Sequence, residues 1–259
     1  MGLFTDWCGK SQSKDKLKHF LTLVEKDGGR DAIRDRLAET MRSHYEHLDR
    51  IADDVARLGY EGAAELLRTV LPRNARARSG ELGEILATEL VEEETGFRVP
   101  VQRLRYKDGR EMALRGDDFI GVTYDPNDEL WLLKGEAKSN QILSKTTIAA
   151  AREALCRHDG RCTPDSLLFV ANRLLESDND DDVELGRTIR DGIGRKTILA
   201  SRVDHMLFTM SGNEPPAALK VDLDDASADR THYVVNLRID DHQDFIAEMY
   251  EEAQNLGDT

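Results

Sequence analysis

Two apolar runs, "DFIGVTY" (Asp118–Tyr124) and "LWLLKGEAKSN" (Leu130–Asn140), stand on either side of "DPNDE" and set the tightest limit on how this chain can fold. Short runs rich in β-branched and aromatic residues, bounded by turn formers, read as strands. A connection this short makes them neighbours in an antiparallel hairpin. Alternation along the second strand then puts Glu136 and Lys138 on one face and Gly135 and Ala137 on the other.

The turn decides what faces Glu136. If Pro126, Asn127 and Asp128 form the loop, Tyr124 opposes Leu130 and Asp118 opposes Glu136, with Cβ atoms about 4.5–5.5 Å apart. If only Pro126 and Asn127 form it, the register slips by one and Asp117 takes that place. Geometry leaves both open. In either register two carboxylates face each other, which destabilises a sheet unless a cation lies between them. Ligands that are all oxygen favour Mg²⁺ or Mn²⁺ over zinc. Lys138 beside such an ion is suited to orienting a water or stabilising charge on a phosphorane. The plain structural alternative is an ion pair between Lys138 and Glu136 at a strand end.

Around the hairpin the periodicity predicts a mixed α/β sheet covered by helices. Ser79 reads as the N-cap of a helix, "GELGEILATELVEEETGF", with Glu81 and Glu84 in its first turn, where acids favour the helix dipole. "FRVPVQRLRY", "SLLFVAN", "DHMLFTMSG" and "YVVNLRI" read as further strands, and "KTTIAAAREAL" and "DDHQDFIAEMYEEAQ" as helices. Residues 1–75 are expected to be all helical, serving as a cap or a partner-docking surface. Its helices are predicted over 15–25, from Ile33 to a stop at Gly59, and over "EGAAELLRTVLP". "RNARARSG" reads as a basic linker, and residues 76–259 as the one main domain.

Composition narrows the function classes. With 39% hydrophobic and 33% charged residues, the 259-residue chain reads as a globular protein with a heavily solvated surface, and no apolar run spans a bilayer, so a cytoplasmic location is expected. Cys8, Cys156 and Cys162 form no disulfide framework. Cys156, His158 and Cys162 lack both the spacing and the fourth ligand of a zinc site. "ESDNDDDVELG" fails as a calcium loop, with Val183 at the glycine position and Ile189 at the twelfth, and reads as a solvated acidic loop. "GIGRKT" lacks the glycines of a phosphate loop. The formal charge of −14 argues against unaided binding to nucleic acid, which calls for a local basic groove, a metal or a basic partner.

A helix with early glutamates, then "RGDDFIGV", a tight turn, an apolar strand ending Glu-Ala-Lys and another helix resembles the core of the PD-(D/E)xK nuclease superfamily, over about Ser79 to Asn172. The resemblance implies a restriction-endonuclease-like core. Its glycine two residues before the acid selects Asp118, and its Gly-Glu-x-x-Ala helix form selects Glu84 as a metal ligand, with Glu81 as the other choice. No proline precedes the aspartate here. More narrowly, "RGDDFIG", "LLKGEAKSN", "DHMLFTMSGN" and the helical start look like the nuclease subunit of Hachiman anti-phage defence systems. That likeness implies a Mg²⁺- or Mn²⁺-dependent DNA endonuclease working with a helicase subunit. Asp118, Glu136 and Lys138 are its expected catalytic set, with Glu84 joining the metal. Gln141, at the strand exit, and Arg152, on the next helix, are expected to contact DNA phosphate. A restriction or repair-type nuclease, and a non-catalytic module of the same fold, are the alternatives.

Overall fold

A computed structural model of the chain describes residues 2–214 and 217–256. Along the chain run α1 (Leu3–Trp7), β1 (Cys8–Asp15), β2 (Lys18–Glu25), α2 (Gly29–Tyr45), α3 (Leu48–Val70), α4 (Ala75–Glu94), β3 (Phe119–Tyr124) and β4 (Leu130–Asn140). Then follow α5 (Lys145–Cys156), α6 (Pro164–Leu175), α7 (Asp180–Arg195), β5 (Val203–Ser211), α8 (Ala217–Asp225), β6 (His232–Arg238) and α9 (His242–Gln254). The strands form a six-stranded mixed sheet in the order β1-β2-β6-β5-β4-β3. The four inner strands are parallel, and β1 and β3 lie antiparallel at the two edges. β5 is buried along its whole length, as a central parallel strand covered on both faces must be.

The two faces carry separate cores. Leu133 and Ala137 of β4 pack with Leu82 and Leu86 of α4, Leu37 of α2 and Phe245 of α9. On the other face Leu132 meets Leu167 and Val170 of α6 and Ile189 of α7. Next to it, Leu207 and Val234 pack beneath α5 and α8. Among the described residues no helix is long and apolar enough to cross a membrane.

Several elements depart from the sequence reading. Helices do fill much of the N-terminal region, but residues 15–25 are not one of them. Asp15 is the last residue of β1, and Lys18–Glu25 is β2, hydrogen-bonded to β1 and to β6. The spacing of Leu17, Phe20, Leu21 and Val24 mimics a helix face, yet "FLTLV" is a largely apolar run that a strand inside the sheet accepts equally well. Ile33 to Leu58 is divided between α2 and α3, and the predicted break at Gly59 survives as a non-helical residue (φ 73°, ψ 173°) within α3. "RNARARSG" is no linker: Asn74 caps α4 by accepting the Arg76 N–H, so the helix starts ahead of Ser79.

"FRVPVQRLRY" makes a single bridge, Arg98 with Val122, and then a 3₁₀ turn at Arg103–Tyr106. Pro100 has no N–H to extend a ladder. "SLLFVAN" is helical, within α6. Pro164 in its first turn and buried residues at Leu167, Val170, Ala171 and Leu174 fit a helix period. The acidic "DNDDDV" stretch likewise opens α7, with Asn179 as cap and Asp180, Asp181 and Asp182 in the first turn.

Candidate active site

The β3–β4 turn fixes the register. Asp125 Oδ1 accepts the N–H groups of Asn127 and Glu129, each at 2.9 Å, and Asp128 adopts φ 63°. Pro126, Asn127 and Asp128 are therefore the loop. Pairing runs from Tyr124 with Leu130 to Phe119 with Gly135. One step further, Asp118 stands opposite Glu136, and its N–H donates to the Gly135 carbonyl at 3.2 Å. Gly135 is required here, since a Cβ on it would lie 2.1 Å from the Phe119 ring.

β3 stops at Phe119 while β4 continues, paired to β5, as far as Asn140. The edge of β4 beyond Gly135 is thus open on the β3 side. Asp118 fills part of the gap, its Oδ2 accepting the Ala137 N–H at 2.8 Å. On the same face Lys138 Nζ pairs with Glu136 Oε1 at 2.5 Å. Glu84, from α4, comes near enough to Asp118 and Lys138 to feel both charges. It also lines a cleft of about 290 Å³ at the start of α4, together with Glu81, Asn74 and Arg76.

Crowding of buried acids shows in their protonation. Burial, then repulsion from Asp118, pushes the Glu136 carboxyl up to about 7 against the opposing pull of Lys138. Glu84 is held well above the usual carboxylate range by burial and then by Asp118, with Arg103 acting the other way. Asp118 is also raised, chiefly by burial, against Lys138, the Ala137 N–H and Arg103. For Lys138 burial acts downward, but Asp118, Glu136 and Glu84 outweigh it, so the ammonium is stabilised.

A hard divalent cation matches these donors in kind: carboxylate oxygens only, with mutual repulsion that a cation would relieve. They are not closed around one point. Among the described residues no three His, Cys, Asp or Glu side chains converge tightly enough to hold an ion as they stand. The Cys156, His158 and Cys162 set forms no such group either.

The other predicted residues lie elsewhere. Asp117 points away from Glu136. It accepts the Thr163 N–H at 2.6 Å and the Thr163 hydroxyl at 2.8 Å, and lies 3.6 Å from the buried Lys134 ammonium. Glu81 is bound to Lys107 and accepts the Tyr45 hydroxyl at 2.8 Å. Arg152 is no free phosphate ligand: it forms an ion pair with Asp222 at 2.6 Å and donates to His232 Nδ1 at 3.1 Å. Gln141 is exposed at the end of β4, and its carbonyl accepts the Gly212 N–H at 3.0 Å.

Sequence reasoning missed Arg103. It is buried, donates to the carbonyls of Asp117 and, at 2.6 Å, Arg115, and lies close enough to influence both Glu84 and Asp118. Nothing in "RLRY" separates it from Arg105, which turns away to the Ser43 carbonyl.

A family model described as HamA matches residues 2–253. The Hachiman protein HamA of Bacillus cereus is 26% identical over 186 residues, covering 72% of this chain and 64% of that relative, so the match spans just under two thirds of the relative's length. The whole-length family match shows that the chain belongs to the HamA family.

Proposed function

From membership of the HamA family, we propose that the chain serves in a Hachiman-type anti-phage defence system as a metal-dependent DNA endonuclease with a helicase subunit as partner. The observation that carries the reading is the pairing of Asp118 opposite Glu136, with Lys138 two residues on along the same face. Opposed, half-buried carboxylates repel each other unless a cation lies between them. The superfamily resemblance adds the reaction class, phosphodiester hydrolysis.

Asp118 and Glu136 would hold Mg²⁺ or Mn²⁺, with Glu84 as a third oxygen donor. When bound, the cation supplies Lewis-acid activation of the attacking water and charge neutralisation at the phosphate. Lys138 is charged at neutral pH because the acids around it favour its ammonium form. Freed from Glu136, that ammonium donates hydrogen bonds to the non-bridging phosphate oxygens as charge builds on them. The Ala137 N–H holds the Asp118 carboxylate in one orientation. Water attacks phosphorus as the bond to the leaving oxygen breaks, and a proton passes to that oxygen.

The net charge of −14 supports dependence on a partner, since an acidic chain gains little of the counterion-release energy that holds DNA. The test is cleavage of plasmid and linear DNA in Mg²⁺, with and without the helicase subunit, for wild type, Asp118→Ala, Glu136→Ala and Lys138→Ala. The expected result is cleavage by wild type, greater with the helicase subunit than without it, and none by the three variants. Equal cleavage by the variants removes the site, and full activity in EDTA removes the metal.

A further inference from the structure

We propose that Arg103 is a positioning residue of this acid site: its guanidinium fork, set on the carbonyls of Arg115 and Asp117, holds the loop that delivers Asp118 opposite Glu136. The inference rests on the metal-dependent reading above.

The loop in question, Arg115 to Asp118, lies ahead of β3 and outside the strand ladder. Gly116 has φ 94°, in the left-handed region, and a Cβ there would lie 2.0 Å from Ser166 Oγ. With no ladder of its own, the loop is fixed by contacts from the elements on either side. One side is held by α6 and its cap: Ser166 Oγ accepts the Asp117 N–H at 2.9 Å, and Thr163 donates twice to the Asp117 carboxylate. The opposite side is held by Arg103, which donates through one terminal nitrogen to the Asp117 carbonyl and through the other to the Arg115 carbonyl. Asp118 follows directly, and its N–H and carboxylate then engage β4.

The way Arg103 is installed argues that the fork itself is needed. The residue is only 8% exposed, lies 5.9 Å from the Phe169 ring centroid, and leaves its buried Nε without a hydrogen-bond partner. A buried unsatisfied donor is costly, so the two carbonyl contacts and the nearby acids must outweigh it. A planar fork fixes the separation and direction of the two carbonyls it binds, which a lysine ammonium, a compact rotating donor, does not impose.

Full-length wild type, Arg103→Gln and Arg103→Lys are compared by Mn²⁺ titration calorimetry, and by kcat and KM for Mg²⁺-dependent DNA cleavage. Circular dichroism checks that each is folded. Loss of an outer-shell partner typically costs about 10–100-fold in metal affinity or activity. Both variants are expected to show such a fall in Mn²⁺ affinity and in kcat, with KM for DNA unmoved. Arg103→Lys keeps the charge without the fork, and it carries the test if Arg103→Gln does not fold. Wild-type Mn²⁺ affinity in either folded variant overturns the inference while leaving the nuclease reading intact. Wild-type protein that neither binds Mn²⁺ nor, with the helicase subunit present, cleaves DNA overturns both.

Discussion

Glu136 changes charge in the neutral range, because burial and Asp118 push its carboxyl from 4.5 up to about 7. A folded-state pKa above the unfolded value means that the fold favours the protonated form. The resulting stability is fully present below the unfolded value and fades as pH rises through about 7. Relative to Glu136→Gln, the metal-free wild type is therefore expected to lose melting temperature between about pH 5 and pH 8. A divalent cation competes with that proton, so added Mn²⁺ should raise the midpoint more at pH 8 than at pH 6. Scanning calorimetry at both values checks this, and a larger shift at pH 6 would contradict it. The two adjacent aspartates should separate cleanly. Asp117→Ala removes the buried Lys134 ammonium's carboxylate, leaving it the Arg157 and Arg161 carbonyls, strips Thr163 of its acceptor, and is expected to cost about 3–5 kcal/mol in urea unfolding. Asp118→Asn removes repulsion from Glu136 and Glu84. It should leave unfolding unchanged or raise it, while abolishing metal binding.

At the level of single elements, the hairpin carries the site because its turn admits one register. Asp125 collects two loop amides and Asp128 takes the left-handed position, so Asp118 rather than Asp117 faces Glu136. The hairpin also demands a glycine under Phe119. Gly135→Ala should destabilise by about 1–3 kcal/mol through overpacking, measurable as a shift in urea midpoint at constant slope. The hairpin was legible from alternation, and so were α5, β5, β6 and α9 from periodicity; the register was not, since geometry left Asp117 and Asp118 both open and only the superfamily resemblance chose Asp118. What was illegible had local signals pointing two ways. "SLLFVAN" is apolar enough for a strand, and only its position after Thr163-Pro164 and the wider stripe of Leu167, Val170 and Leu174 make it α6. Phe20 to Val24 satisfies a helix face and a strand alike, and the neighbour that decides, β6, lies some 210 residues away in sequence. Arg103 was invisible for a related reason: its partners are backbone carbonyls, which leave no trace in side-chain pattern.

Across the whole molecule, the core that backs the site is shared between the two ends of the chain. Phe4 and Trp7 of α1 and Leu37 and Met41 of α2 are fully or nearly fully buried in one cluster with Leu82 and Leu86 of α4 and Phe245 and Tyr250 of α9. The Trp7 and Phe245 rings lie 5.3 Å apart, tilted by 32°, and the Tyr45 and Tyr250 hydroxyls meet at 2.7 Å. β2 also covers the β6 edge that would otherwise end the sheet. A chain cut to residues 76–259 would keep every acid of the candidate site yet expose one side of α4, the helix that carries Glu84. Each large buried side chain left unpacked forfeits about 1.5–3 kcal/mol of burial, and at least four are lost, against a typical total stability of about 5–15 kcal/mol. The truncated protein is therefore expected to lack a cooperative thermal transition and to bind no Mn²⁺, although its site residues are intact. A sharp melt with wild-type Mn²⁺ affinity would instead make the N-terminal region an appendage, free to act purely as a docking surface. The predicted failure ties the acid cluster to the N-terminal helices through α4, so a partner gripping α2 or α3 would press on the same core that sets Glu84.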